Sequence, residues 1–281
     1  MLDLPLNVDF TGKVVVITGA SGAICGTMAK AFAQAGAKVA ALYRNPKKGQ
    51  PIVDAIRQDG GICNGYTGDV TKQADMIAVH EQVLKDFGPC DILINGAGGN
   101  NPGATTDIEF HSEAAPGKKS FLDLTIEGID GVFMLNFSGT LIPTQIFAQD
   151  MVEKKQGCIL NISSMNAYIP LTKIPAYSAA KAAISNFTQW TATYFATSGV
   201  RCNAIAPGFL VSDQNRSLLF NPDGTPSARA QKILNGTPTH RFVENEELLG
   251  ATFFLCSEKA ASAVNGVVLP IDAGFAAYSG V

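Results

Sequence analysis

Tyr177 and Lys181 stand four residues apart in Tyr177-Ser178-Ala179-Ala180-Lys181, which puts a phenol and an ammonium on one face of a helix. A phenol titrates ordinarily near pH ~10, and a neighbouring cation favours the phenolate and draws that value toward the working pH. The pair predicts acid–base chemistry at Tyr177. The same spacing also arises as a plain cation–aromatic surface pair, so a third group has to separate the two readings. Ser164 supplies it, thirteen residues before Tyr177 and just beyond the run Cys158 to Ser163. Its hydroxyl can converge with the phenol on one carbonyl oxygen. A ketone being reduced needs such a proton donor, with groups that stabilise the charge growing on its oxygen. Ser163 is expected to face away, because successive strand side chains point to opposite faces.

These residues must be positioned by an alternation of strands and helices. Lys13 to Thr18, Lys38 to Tyr43, Ile62 to Tyr66, Asp91 to Asn95, Cys158 to Ser163, Val200 to Ile205 and Val267 to Ile271 read as strands. Ile24 to Ala35, Pro51 to Asp59, Met76 to Phe87, Gly139 to Lys154, Ala176 to Thr197 and Glu246 to Ser257 read as helices. Apolar strands alternating with helices predict an α/β fold, a doubly wound parallel sheet with helices on both faces, in a single domain over residues 1–281. Two polar, Pro-containing stretches, 100–120 and 212–238, break the rhythm and are expected to be irregular loops over the site.

The first strand runs into Thr18-Gly19-Ala20-Ser21-Gly22-Ala23-Ile24-Cys25-Gly26. A glycine-rich turn between strand and helix lets backbone amides approach a pyrophosphate, which the helix N-terminus also favours. Here the sequence resembles the short-chain dehydrogenase/reductase family, whose turn reads T-G-x-x-x-G-x-G. Thr18 and Gly19 match. Ala23 and Cys25 stand at the second and third glycine positions, with Gly22 and Gly26 one residue to either side. The resemblance runs from Gly12 to Gly274 and implies a Rossmann-type fold of about seven strands. It also implies Tyr177 as acid/base, Lys181 as tyrosine activator and ribose ligand, Ser164 as carbonyl positioner, and Asn136 as part of a proton relay. Its cofactor segments match at Gly19, Ser21, Gly22, Ala23 and Ile24, at Asp69 and Val70, and at Asn95, Gly96 and Ala97, where Gly96 replaces an Asn. They also match at Pro207 and Gly208, with Ser212 where a threonine often stands. Ile271-Asp272-Ala273-Gly274 resembles the closing V-D-G-G.

At the end of the second strand a carboxylate would accept from a ribose 2′-hydroxyl and repel a 2′-phosphate. Tyr43 and Arg44 stand there instead, so NADP(H) is favoured over NAD(H). Within the family the chain is similar to the D-mannonate (fructuronate) oxidoreductase branch, in Asn95 to Asn100, Ser163 to Ala167, Pro170 to Pro175 and Asp213 to Arg216. That implies a ketone–alcohol interconversion on a sugar acid, with Asn166, Lys173, Gln214, Asn215 and Arg216 as substrate residues and Arg216 as the carboxylate clamp. Another polyol, a keto acid or a 3-oxoacyl substrate is the alternative within the fold. A non-catalytic dinucleotide-binding regulator is the alternative outside enzymology.

A net charge of −3, with no long run of Lys and Arg, argues against nucleic acid as a partner. No secretion signal or run of ~20 apolar residues is present, so no membrane partner is expected. The six cysteines are scattered without a C-x-x-C pair, as in reduced cytoplasmic proteins. His80, His111 and His240 lack metal-ligand spacing, and structural or surface roles are expected for them. The family resemblance adds a homotetramer assembled through the helices near 139–154 and 176–197.

Overall fold

Residues 8–212 and 215–280 are described by the computed structural model. In chain order the elements are β1 Val14–Thr18, α1 Ala23–Gln34, β2 Lys38–Tyr43, α2 Pro46–Gln58, β3 Ile62–Thr67, α3 Gln73–Asp86, β4 Ile92–Asn95, α4 Ile126–Phe133, α5 Gly139–Lys154 and β5 Gly157–Ile162. There follow α6 Pro175–Tyr194, β6 Val200–Pro207, α7 Arg216–Leu219, α8 Ala228–Asn235, α9 Leu249–Cys256 and β7 Val268–Ile271. The strands form one parallel sheet in the order β3-β2-β1-β4-β5-β6-β7. Chain order reverses at β1, which pairs with both β2 and β4, and this opens a crevice beyond their carboxyl ends.

Strand alternation divides the apolar residues between two layers. Val15, Ile17, Val39, Ala41, Ile94 and Leu160 pack on one face with Met28 and Phe32 of α1 and Leu255 of α9. Val14, Val16, Ala40, Leu42, Leu93 and Ile159 pack on the other with Met76 and Val79 of α3 and Phe147 and Met151 of α5. The inner strands β1, β2, β4, β5 and β6 are thus buried on both sides, whereas the edge strands β3 and β7 are partly exposed, which is why the inner ones read as nearly continuous apolar runs.

Three helical segments differ from the sequence expectation. α2 begins at Pro46, five residues early, because Asn45 caps it by accepting from Lys47 N at 3.0 Å and Pro46 fits the first turn. The stretch 212–238, expected to be irregular, contains α7 and α8, the latter capped by Ser227, whose Oγ accepts from Ala230 N. α4 is capped by Thr125 and continues through a π-helical turn, Met134–Ser138, into α5. Gly128, Gly131 and Gly139 hide this helix in the sequence, since glycine disfavours helix interiors. His80 has the structural role expected of it: Nε2 lies 2.9 Å from Asp150 Oδ1, joining α3 to α5. Among the described residues no helix is long and apolar enough to cross a membrane.

Candidate active site

The turn between β1 and α1 is shaped for close approach. Gly19 has φ +70°, and a Cβ there would lie 2.9 Å from the Ala97 backbone, so the turn presses directly against the segment after β4. Thr18 Oγ1 fixes that contact by accepting from Gly96 N at 3.0 Å and Ala97 N at 3.1 Å. α1 follows Gly22 as its N-cap, with no side-chain cap hydrogen bond and no acidic residue in its first turn. Its first amides therefore remain available to an anion, as a dinucleotide pyrophosphate requires. Ser21, Gly22 and Ile24 are partly exposed and Ala23 is exposed, at this same opening.

Two expected cofactor residues turn elsewhere. Tyr43 is buried, and its ring lies where Cβ atoms on Gly49 and Gly65 would stand, so the side chain fills the core under α2. Strand alternation, which sends Val39, Ala41 and Tyr43 to one face, explains the placement. Arg44 is the exposed side chain at this end of β2. Asn95 is also buried, donating to Thr144 Oγ1 and Asn161 Oδ1, both at 2.9 Å. It ties β4 to β5 and α5. Asp69 keeps a depressed pKa although burial opposes it, because Thr71 donates to Oδ1 through N and Oγ1 and Arg44 lies near. Val70 is buried against Gly139. Gly208 abuts the Asp272 backbone and donates to Ile271 O, holding Pro207 and the end of β6 beside β7.

Asn136, Ser164, Tyr177 and Lys181 come together beyond the carboxyl ends of β4 and β5. Asn136 lies in the π-helical turn, fully buried, with Nδ2 donating to Gly99 O at 2.7 Å and Val132 O at 2.8 Å. A Cβ on Gly98 would fall 2.7 Å from Asn136 Oδ1 and 3.4 Å from Lys181 Nζ, so only glycine lets the segment pass between them. The Ser164 hydroxyl lies near the Tyr177 phenol and lowers its pKa against the larger, opposite effect of burial. Lys181 Nζ donates to Ile162 O at 2.8 Å and lies 5.6 Å from the Tyr177 ring centroid. Ser163 faces away as expected, bonding Lys181 O and Ser185 Oγ.

The electrostatics correct one expectation. Burial pushes the phenol up to about 12 and the Lys181 ammonium down to about 8. The cation does not draw the phenol toward neutrality, because both groups are desolvated together and the ammonium is not in contact with the phenol oxygen. The Tyr177 phenol is thus held protonated at neutral pH.

The substrate candidates separate in the same way. Asn166 follows Ser164 in a tight turn and is buried, with Oδ1 lacking a hydrogen-bond partner. Lys173 is engaged elsewhere: Nζ donates to Asp107 O at 2.9 Å, and its carbonyl accepts from Thr106 N at 2.9 Å. Asn215 is engaged too, accepting from Ser212 N and donating to Leu210 O, both at 2.8 Å, so it shapes the loop around Ser212. Arg216 is exposed, with its guanidinium 5.8 Å from the Phe220 ring centroid. Gln214 lies outside the described residues.

Residues 13–221 match the family model of the short chain dehydrogenases. The chain belongs to this family. An uncharacterized oxidoreductase of Haemophilus influenzae is 53% identical over 281 residues, covering 100% of this chain and 99% of its own. The uncharacterized oxidoreductase UxuB of Bacillus subtilis is 46% identical over 278 residues, covering 99% and 100%. A crystal structure from Haemophilus, provisionally named a D-mannonate oxidoreductase and holding NAD, superposes with a TM-score of 0.94 at 54% identity, covering 97% and 98%. A gluconate 5-dehydrogenase of Burkholderia cenocepacia, in complex with NADP and tartrate, gives 0.81 at 26% identity, covering 96% and 98%.

Within this short-chain dehydrogenase two of the departures from the family motifs, Cys25 and Gly96, are one feature. A Cβ on Gly96 would sit 2.0 Å from Cys25 Sγ. The thiol at the third glycine position therefore fills the hollow left where the family has an Asn. Gly96→Ala is expected to destabilise the protein by about 1–3 kcal/mol through overpacking, and Cys25→Ala to recover most of it. Urea unfolding of both single variants and the double variant measures this, and strictly additive losses would show that the residues do not share the space. Ala273, at a family glycine, has φ +56° and keeps the left-handed backbone at a cost in strain. Sequence reasoning missed Thr18, Gly98, Gly99 and Asn161 as supports, since each acts through contacts more than twenty residues away in the chain.

Proposed function

We propose that this dehydrogenase interconverts the ketone of D-fructuronate and the secondary alcohol of D-mannonate, with NADP(H) favoured over NAD(H). The observation that supports a polyhydroxy substrate is the buried Asn166 Oδ1 two residues from Ser164, which has no partner within the chain and can accept from a hydroxyl of a bound molecule or from water. The name of the Haemophilus structure supports the sugar-acid branch. Arg44, with no carboxylate at the end of β2, supports NADP(H), and the NAD held by that neighbour supports NAD(H) as the second reading.

When bound, the dinucleotide supplies or accepts the hydride. Ser164 orients the carbonyl oxygen, and Tyr177 Oη gives that oxygen its proton in reduction and takes it back in oxidation. Lys181 and Asn136 hold this centre and its proton path. Gluconate or another polyol is the substrate alternative, favoured by the gluconate 5-dehydrogenase likeness.

Arg216 is the candidate carboxylate clamp. Arg216→Ala is expected to lower kcat/KM for the acid by roughly ten- to a hundred-fold, the equivalent of a charge-assisted pair worth about 1.5–3 kcal/mol, and to spare an uncharged analogue. Equal losses on both substrates would leave Arg216 a loop residue. No turnover in a panel of hexuronates and aldonates would return the substrate to the wider family.

We further infer a cytoplasmic homotetramer. α5 and α6 expose Val152, Trp190 and Tyr194, and the Phe187, Trp190 and Tyr194 rings stack along α6, giving an apolar face suited to a second copy.

A further inference from the structure

The segments that follow β4, β5 and β6 all leave the carboxyl end of the sheet, and β5 lies between the other two. Ser164 and Tyr177 belong to the β5 segment. A link between the β4 and β6 segments would span the β5 segment that lies between them, and there is such a link. Glu109 Oε1, in the excursion after β4, meets Lys232 Nζ of α8 at 2.9 Å.

Both sides of this crossing are built. The excursion is braced internally where Asp107 and Lys119 bond each other twice, N to O and N to Oδ2, both at 2.8 Å. Its root packs through Ala104 against Val132, Ala176 and Ala180, beside Tyr177. It is hinged on Lys173, whose φ of +72° is a strained conformation for a lysine, and which holds both Thr106 N and Asp107 O. The α7–α8 segment has its own small core of Leu219, Ala230 and Ile233 against Phe220 and Phe242. At Glu109 the two pieces meet through side chains: Lys232 bonds its carboxylate, with the Arg229 and Lys173 charges near Glu109 and Glu113 near Lys232.

We propose that Glu109 and Lys232 form a latch that closes a roof over Ser164 and Tyr177, so that the cleft selects small carbonyl substrates and opens by breaking one ion pair. The selectivity rests on the catalytic reading of Tyr177; the latch itself does not. The Lys232 side chain is 71% exposed, so the pair is weak and salt-sensitive, as a structure that opens in every cycle requires.

The test uses the full-length protein with Glu109→Gln, Lys232→Gln and the swapped double variant Glu109→Lys/Lys232→Glu. Amide hydrogen exchange without substrate should quicken by roughly two- to five-fold in both 105–120 and 228–236 in each single variant, and return toward wild type in the swap. High salt should quicken exchange in the wild type and not in the Gln variants. Steady-state kinetics should show the singles gaining efficiency on a bulky bicyclic ketone relative to a small hydroxyketone, with the swap again reversing it. Unchanged exchange in the singles, or a response in one segment alone, overturns the latch. An exchange response without any change in the bulky-to-small ratio overturns its role in selectivity. Exchange that responds in a protein turning over no carbonyl refutes the catalytic reading and upholds the latch.

Discussion

Tyr177→Phe is expected to reduce turnover by roughly a hundred- to ten-thousand-fold while dinucleotide binding stays close to that of the wild type. The ring packs with Ala104, Val132 and Ala176, and phenylalanine keeps that packing, so the change removes only the hydroxyl. That hydroxyl lies near Ser164 and is held protonated by burial, up to about 12. The sign of the pH dependence follows. Reduction finds its donor loaded throughout the neutral range. Oxidation needs the phenolate, whose fraction rises tenfold per pH unit below the phenol pKa, so oxidation should accelerate with pH. Burial brings the Lys181 ammonium down to about 8, so it gives up its proton before the phenol does. Stopped-flow hydride transfer with pH profiles in both directions checks the assignment. Near-normal turnover, or an unchanged pH slope for oxidation in the Phe variant, would remove Tyr177 from the chemistry.

Much of this site could be read in advance because its parts lie on regular elements. Tyr177 and Lys181 share a helix face whatever surrounds them, and Ser164 follows a strand whose apolar run is unmistakable. The turn at Gly19 was legible for the same reason. What could not be read depends on contacts distant in sequence. Tyr43 stands at the predicted strand end and alternation turns it to the face of Val39 and Ala41, but that its ring is enclosed there depends on hollows at Gly49 and Gly65 that only the assembled fold brings against it. Lys173 looked like a substrate cation until its partner Asp107 came into view, 66 residues away in the chain. The phenol's upward shift was hidden too, since burial is a property of the assembled fold.

Arg44→Asp is expected to move the ratio of catalytic efficiencies for NADP(H) and NAD(H) toward NAD(H) by on the order of a hundred-fold. The burial of Tyr43 makes Arg44 the side chain that meets solvent at the end of β2. A guanidinium there can pair with a 2′-phosphate through two hydrogen bonds, and an aspartate would instead repel it and accept from a 2′-hydroxyl. Asp69 lies close enough to feel Arg44, so the substitution also places two carboxylates together and sharpens the repulsion. Arg44→Ala separates the effects, losing the phosphate pair without adding the hydroxyl acceptor. Steady-state kinetics with each dinucleotide gives the ratio directly. A ratio that does not move in either variant would place Arg44 outside the adenosine pocket.

The six cysteines are all unpaired and all buried, and they are spread over α1, β3, the entry to β4, β5, β6 and α9. A thiol enclosed in this way is silent toward an alkylating reagent until its own segment opens. The wild-type chain therefore carries six native reporters, one for each of those segments. Mass-resolved labelling under native conditions would rank the segments by how often they come apart, without a probe having to be engineered.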